Sequence, residues 1–67
     1  MRAKYVGFST HGFEKGKDYY IRSNVQVVSL PFGNIYKPVM CICIFDEGGS
    51  GWCAYRNLEE VLMNWKF

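Results

Sequence analysis

The stretch "VMCICIF" (Val39 to Phe45), seven consecutive apolar residues, constrains this chain more than any other feature. In a strand, alternate side chains leave opposite faces. Val39, Cys41, Cys43 and Phe45 then point one way, and Met40, Ile42 and Ile44 the other. A strand that is apolar on both faces needs cover on both. A chain of 67 residues lies near the lower limit for a self-sufficient hydrophobic core. The second face must therefore be covered by a helix, by closure of a barrel or by a partner.

The flanking segments also read as strands. "AKYVGFS" (Ala3 to Ser9) is rich in β-formers, and "THGFEKGK" after it has the glycines and charges of an exposed loop. "DYYIRS" alternates, with Tyr19 and Ile21 on one face and Tyr20 and Arg22 on the other. "NVQVVSL" continues it as one long bent strand or as a second short one. "PFGN" (Pro31 to Asn34) is a turn signal. Pro38 cannot donate to a ladder, so pairing is expected to begin after it or to place it at an edge. "DEGGSG" forms a hairpin loop, and "WCAYR" returns antiparallel to the preceding strand.

The chain ends in a helix. Asn57 is a good N-cap, with Glu60 three residues on as in a capping box. Leu58, Val61, Leu62 and Trp65 then form one apolar stripe expected to pack on the sheet. Glu59 and Glu60 in the first turn and Lys66 in the last suit the helix dipole. The prediction is one mainly β domain over residues 1–67, a small SH3-like antiparallel barrel with a short C-terminal α-helix. Its strands are expected at about 3–9, 18–30, 39–45 and 51–56, and its helix at about 58–66.

Two segments, "KYVGFSTHGFEKGKDYYI" and "FDEGGSGWCAYRNLEEV", resemble small SH3-like barrel proteins of phages and prophages of Gram-positive bacteria. Gly16, Lys17 and Tyr19 match that group's Gly-Lys-x-Tyr element. Asp46, Glu47 and Gly49 match its acidic hairpin, and Trp52, Tyr55, Leu58, Glu59 and Glu60 its ending. The likeness does not extend over Asn24 to Pro38, and the terminal helix is better formed than the group's usual ending. It implies a fold and a phage origin, with no catalytic residues to carry over.

The three cysteines lie within thirteen residues, and His11 would complete a Cys3His zinc set. Structural zinc sites take paired cysteines from a turn that wraps the metal, whereas Cys41-x-Cys43 sits in an apolar strand. Buried free cysteine behaves as a small hydrophobe, so the sulfurs read as core and no metal or cofactor is assigned. Pairing Cys43 with Cys53 would gather all three on one face; a one-residue slip would send Cys53 to the other. His11 has no placed nucleophile or orienting carboxylate and reads as a solvated loop residue, so no catalytic residue is assigned. The glycines of "EGGSG" offer amides to an anion, but Asp46 and Glu47 would repel it, and the segment reads as a turn.

The aromatics, 18% of the chain, exceed what one face of so small a sheet can hide. Phe13, Tyr20, Phe32 and Tyr36, with Met63 on the polar side of the helix, form the candidate binding surface. The first reading is a non-enzymatic module that docks on a host protein, with inhibition of a defence system or host enzyme by occlusion as its most concrete form. A homodimer through an exposed edge strand is compatible with it. The alternative is a single-stranded nucleic-acid binder using Lys4, Lys15, Lys17 and Arg22 between the rings. A net charge of +2, with signs interleaved, weighs against that alternative. The opening "MRAKYVGF" has no apolar signal region and no run approaches the ~20 residues of a bilayer span, so the expected location is the host cytoplasm.

Overall fold

The computed structural model describes residues 1–10, 12–49 and 51–67; His11 lies outside the described residues, and with it the readings placed on that side chain. The protein is mainly β, with strands β1 (Arg2–Tyr5), β2 (Asp18–Phe32), β3 (Ile35–Asp46), β4 (Trp52–Tyr55) and β5 (Trp65–Lys66), and helix α1 (Leu58–Asn64) between the last two. They form one antiparallel sheet in the order β4-β3-β2-β1-β5. This arrangement is compatible with the SH3-like barrel expected from the sequence.

Segments 18–30 and 39–45 grow into the two longest strands, paired without interruption from Ile21↔Asp46 to Phe32↔Ile35. Only Gly33 and Asn34 are left to turn the chain, and Gly33 has φ 63°, a conformation glycine adopts without strain. Pro38 lies inside β3, opposite Ser29, and Pro31 lies opposite Tyr36. Counted from the closing pair, both prolines fall where the strands exchange no backbone bonds, so neither interrupts the ladder. A straight 15-residue strand would span about 50 Å. The longest dimension of the whole molecule is 34 Å, so β2 is strongly bent. It pairs with β1 through Asp18–Tyr20 and with β3 from Ile21 onward. One bent strand thus runs through both halves of the sheet.

The main core lies on the face of Ala3, Tyr5, Tyr19, Ile21, Ile44 and Tyr55, as the alternation predicts, and Val61 of α1 closes it. Trp65 stands at its centre, with ring centroids 4.9 Å from Phe13, 5.0 Å from Tyr5 and 6.1 Å from Tyr19. Edge-to-face pairs of this kind each add about 0.5–1.5 kcal/mol beyond simple burial. The polar tips are satisfied locally. The Trp65 Nε1–H donates to the Tyr55 hydroxyl at 2.9 Å, the Tyr5 hydroxyl donates to the Phe8 carbonyl at 2.7 Å, and the Tyr19 hydroxyl accepts from the Glu14 N–H at 2.8 Å.

Phe13, expected at the surface, is only 1% exposed. Thr10 and Phe13 exchange two backbone hydrogen bonds, 2.9 and 2.8 Å, closing a tight turn that folds the loop back over the sheet. The ring then caps Tyr5, Tyr19 and Trp65. The helix departs from expectation as well. Asn57 caps it, accepting from the Glu60 N–H at 2.9 Å, but α1 ends at Asn64 with no basic residue in its last turn. Trp65 adopts extended backbone, φ −131° and ψ 137°, and Trp65–Lys66 pairs with β1. Trp65 reaches the core as a strand residue, and a two-turn helix buries Val61 while leaving Leu58 and Leu62 exposed.

Burial pushes the Tyr5 and Tyr55 phenols and the Cys43 and Cys53 thiols up from their ordinary values of 10.0 and 9.0. The unfolded chain therefore releases these protons first as pH rises. The stabilisation from the neutral forms is full below the unfolded values and is lost as pH climbs through the raised folded ones. Urea midpoints should be insensitive to these groups up to about pH 8 and fall steadily above about pH 9.

Candidate binding surfaces

The opposite face of the long hairpin holds a second, smaller packing. Cys41 and Cys43 are fully buried there although they stand apart from the main core. The hairpin curls over them. Val28 and Leu30 of β2 line a cleft with Trp52 and Ala54 of β4, and the Phe32 ring lies 5.2 Å from the Arg56 guanidinium. The register pairs Ile44, not Cys43, with Cys53, so Cys53 faces the main core and the three sulfurs divide between two faces. All three cysteines are free, and among the described residues no group of His, Cys, Asp and Glu is arranged to hold a metal ion. In the hairpin loop the Gly48 N–H donates to an Asp46 carboxylate oxygen at 3.1 Å and the Gly49 N–H to the Asp46 carbonyl at 3.0 Å. Those amides serve the turn, not a bound anion.

Tyr20, Phe32, Tyr36 and Met63 are all exposed, but they do not converge. Phe32 lies at the hairpin tip between Lys37 and Arg56. Tyr36 projects from the other face of the same hairpin. Met63 borders a shallow hollow with Val6, Phe8 and Lys15, and Tyr20 lies on the outer side of β2 near Arg2. Of the five residues grouped from the sequence, Phe13 is buried and the fold scatters the other four.

What it missed is the convex face of the hairpin. Val25 (63% exposed), Val27, Met40 (62%) and Tyr36 (72%) share that face by register, and Ile42 carries it into a groove beside Leu58. No charged side chain occurs there between Ser23 and Pro31 or between Tyr36 and Ile42. The signal was present in the alternation of Val25 and Val27, but alternation reports which residues share a face and not whether that face is covered.

The cations of the alternative reading separate too. Lys17 lies 4.0 Å from Glu14 and over the buried Tyr19 ring, and Lys15 lies at the hollow beside Met63. Lys4 and Arg22 instead share the outer face of the sheet. No helix among the described residues is long and apolar enough to cross a membrane. Comparison with protein-family models, with curated proteins and with solved structures gave no match.

Proposed function

We propose that the chain is a non-enzymatic binding module that docks on another protein through the convex face of the β2–β3 hairpin. One observation carries this reading: Val25, Val27, Met40 and Tyr36 stand exposed in a row with no charge among them, continuous with the groove beside Leu58. Contiguous exposed apolar surface of this kind marks interaction sites, and depletion of charge is the compositional mark of an interface centre. The surface it fits is itself apolar and uncharged. The mechanism is occlusion, a curled ribbon covering a site on the partner. That the partner is a host protein, and that the protein serves a phage against a bacterial host, rests on the resemblance carried by Gly16, Lys17 and Tyr19, by the Asp46-Glu47-x-Gly49 hairpin and by the segment from Trp52 to Glu60.

The test is capture from a Gram-positive host lysate after nuclease treatment, comparing the native chain with Val27→Lys, Met40→Glu and Tyr20→Ala. The expected result is one stoichiometric, nuclease-resistant protein retained by Tyr20→Ala. A charge buried without a partner should weaken its hold on Val27→Lys and Met40→Glu at least about thirtyfold. Equal recovery by all four proteins, or loss of everything with nuclease, overturns the reading. Doubling of the mass of the pure chain in solution, abolished by the same two charges, would identify the face as a dimer contact instead.

A further inference from the structure

The outer face of the sheet carries a second arrangement, independent of the docking reading because it uses the opposite side of β2. Phe45 and Trp52 are cross-strand neighbours whose rings stack at 6.0 Å with an angle of 21° between their planes. The Arg22 guanidinium lies over the Phe45 ring at 5.0 Å. Two residues back along β2, on the same face, Tyr20 stands exposed opposite Arg2. Arg2 bridges to Asp18 at 2.9 Å, and Asp18 pairs with Lys4, which pairs in turn with Lys66. A continuous path thus crosses all five strands, aromatic at the β4 end and cationic at the β5 end.

Two features of this path suit a ligand. Trp52, 47% exposed, and Tyr20, 62% exposed, leave ring surface in water. Lys4 and Lys66 are placed directly opposite each other, where like charges destabilise a sheet. An anion between them removes that cost, and a shallow hollow lined by Arg2, Lys4, Asp18 and Lys66 lies there. The weak net charge of +2 conceals this distribution. Arg2, Lys4, Arg22 and Lys66 share the face, with Asp18 within it and Glu47 at its border.

We propose that this face is a stacking platform for single-stranded nucleic acid. Bases stack on Trp52 and Tyr20, with Phe45 backing the Trp52 ring, and the backbone phosphates run past Arg22 and Arg2 to the Lys4–Lys66 pair. Flat sheets bearing two or three exposed rings hold unpaired bases in this way, and every base offers a face to stack on. A duplex keeps its bases inside and cannot use the rings.

Fluorescence anisotropy with labelled oligothymidylate and oligouridylate of about a dozen nucleotides tests this, with a duplex of equal length as competitor. Binding of either single strand in preference to the duplex supports the proposal, provided that Trp52→Ala and Tyr20→Ala each weaken it about tenfold. Lys15→Ala, on the other side of the molecule, should leave it unchanged. With about three phosphates engaged, affinity should fall about twentyfold between 50 and 200 mM salt. Trp52 stacks on Phe45 and lines the cleft with Val28 and Leu30, so Tyr20→Ala, at a site outside the core, keeps the test valid should Trp52→Ala prove unstable. No binding at low salt, equal binding of duplex, or full binding by Tyr20→Ala overturns the proposal.

Discussion

Phe13→Ala is expected to leave most of the chain unfolded at room temperature. Phe13 belongs to no strand or helix, yet it is fully buried and touches Tyr5, Tyr19 and Trp65 ring to ring. Removing a buried phenyl group costs about 3–5 kcal/mol. A single core in a chain of this size rarely supplies more than about 3–5 kcal/mol in total. Collapse of the loop into the cavity is opposed by the paired hydrogen bonds between Thr10 and Phe13, which fix its path. Far-ultraviolet circular dichroism and a urea titration decide the matter. Phe8→Ala, at an exposed site five residues earlier, serves as the control and should change stability by no more than about 0.5 kcal/mol. A native-like transition for Phe13→Ala would show that the loop is a surface appendage.

The second large effect concerns the buried pair Trp65 and Tyr55. Trp65→Phe removes the indole N–H and leaves the Tyr55 hydroxyl with only the Cys53 thiol as a side-chain partner; Tyr55→Phe removes the acceptor and strands the indole N–H. An orphaned buried group costs about 1–3 kcal/mol, and Trp65→Phe also loses ring volume at the centre of the aromatic cluster. The double variant strands nothing, so its loss should be smaller than the sum of the single losses by about 1–2 kcal/mol. Urea midpoints of the four proteins measure that coupling directly. Simple additivity would mean that the two groups find other partners, and the hydrogen bond would then be incidental to the core.

Much of the backbone was legible in the sequence, for identifiable reasons. The Asp46–Trp52 hairpin, the Asn57 cap and the inward pair Tyr19 and Ile21 are set by local chemistry, which neighbouring residues carry whole. Phe13 was not legible, because its burial depends on where a glycine-containing loop lands and its neighbours are polar. Trp65 was ambiguous in a different way. It sits at helical spacing from Leu58 and Val61, and only pairing with Tyr5 of β1, sixty residues away in sequence, makes it a strand residue. Cys53 turned on a register shift of one residue, which no composition reports. The candidate surfaces fared worst. A binding face and a core face share the same alternation, and Val25 and Met40 differ from Ile21 and Ile44 only in what the rest of the chain leaves uncovered.

The Phe32–Arg56 contact has one further consequence. Two strands alone make a ribbon too weak to hold its shape in water. Here the tip is latched back against the residue that follows β4, and the curl is packed around Cys41 and Cys43. Its convex surface is therefore fixed before any partner arrives, and association is spared the entropy of ordering it. Loosening the latch would leave every docking residue in place and still lower affinity, through the disorder that binding would then have to remove.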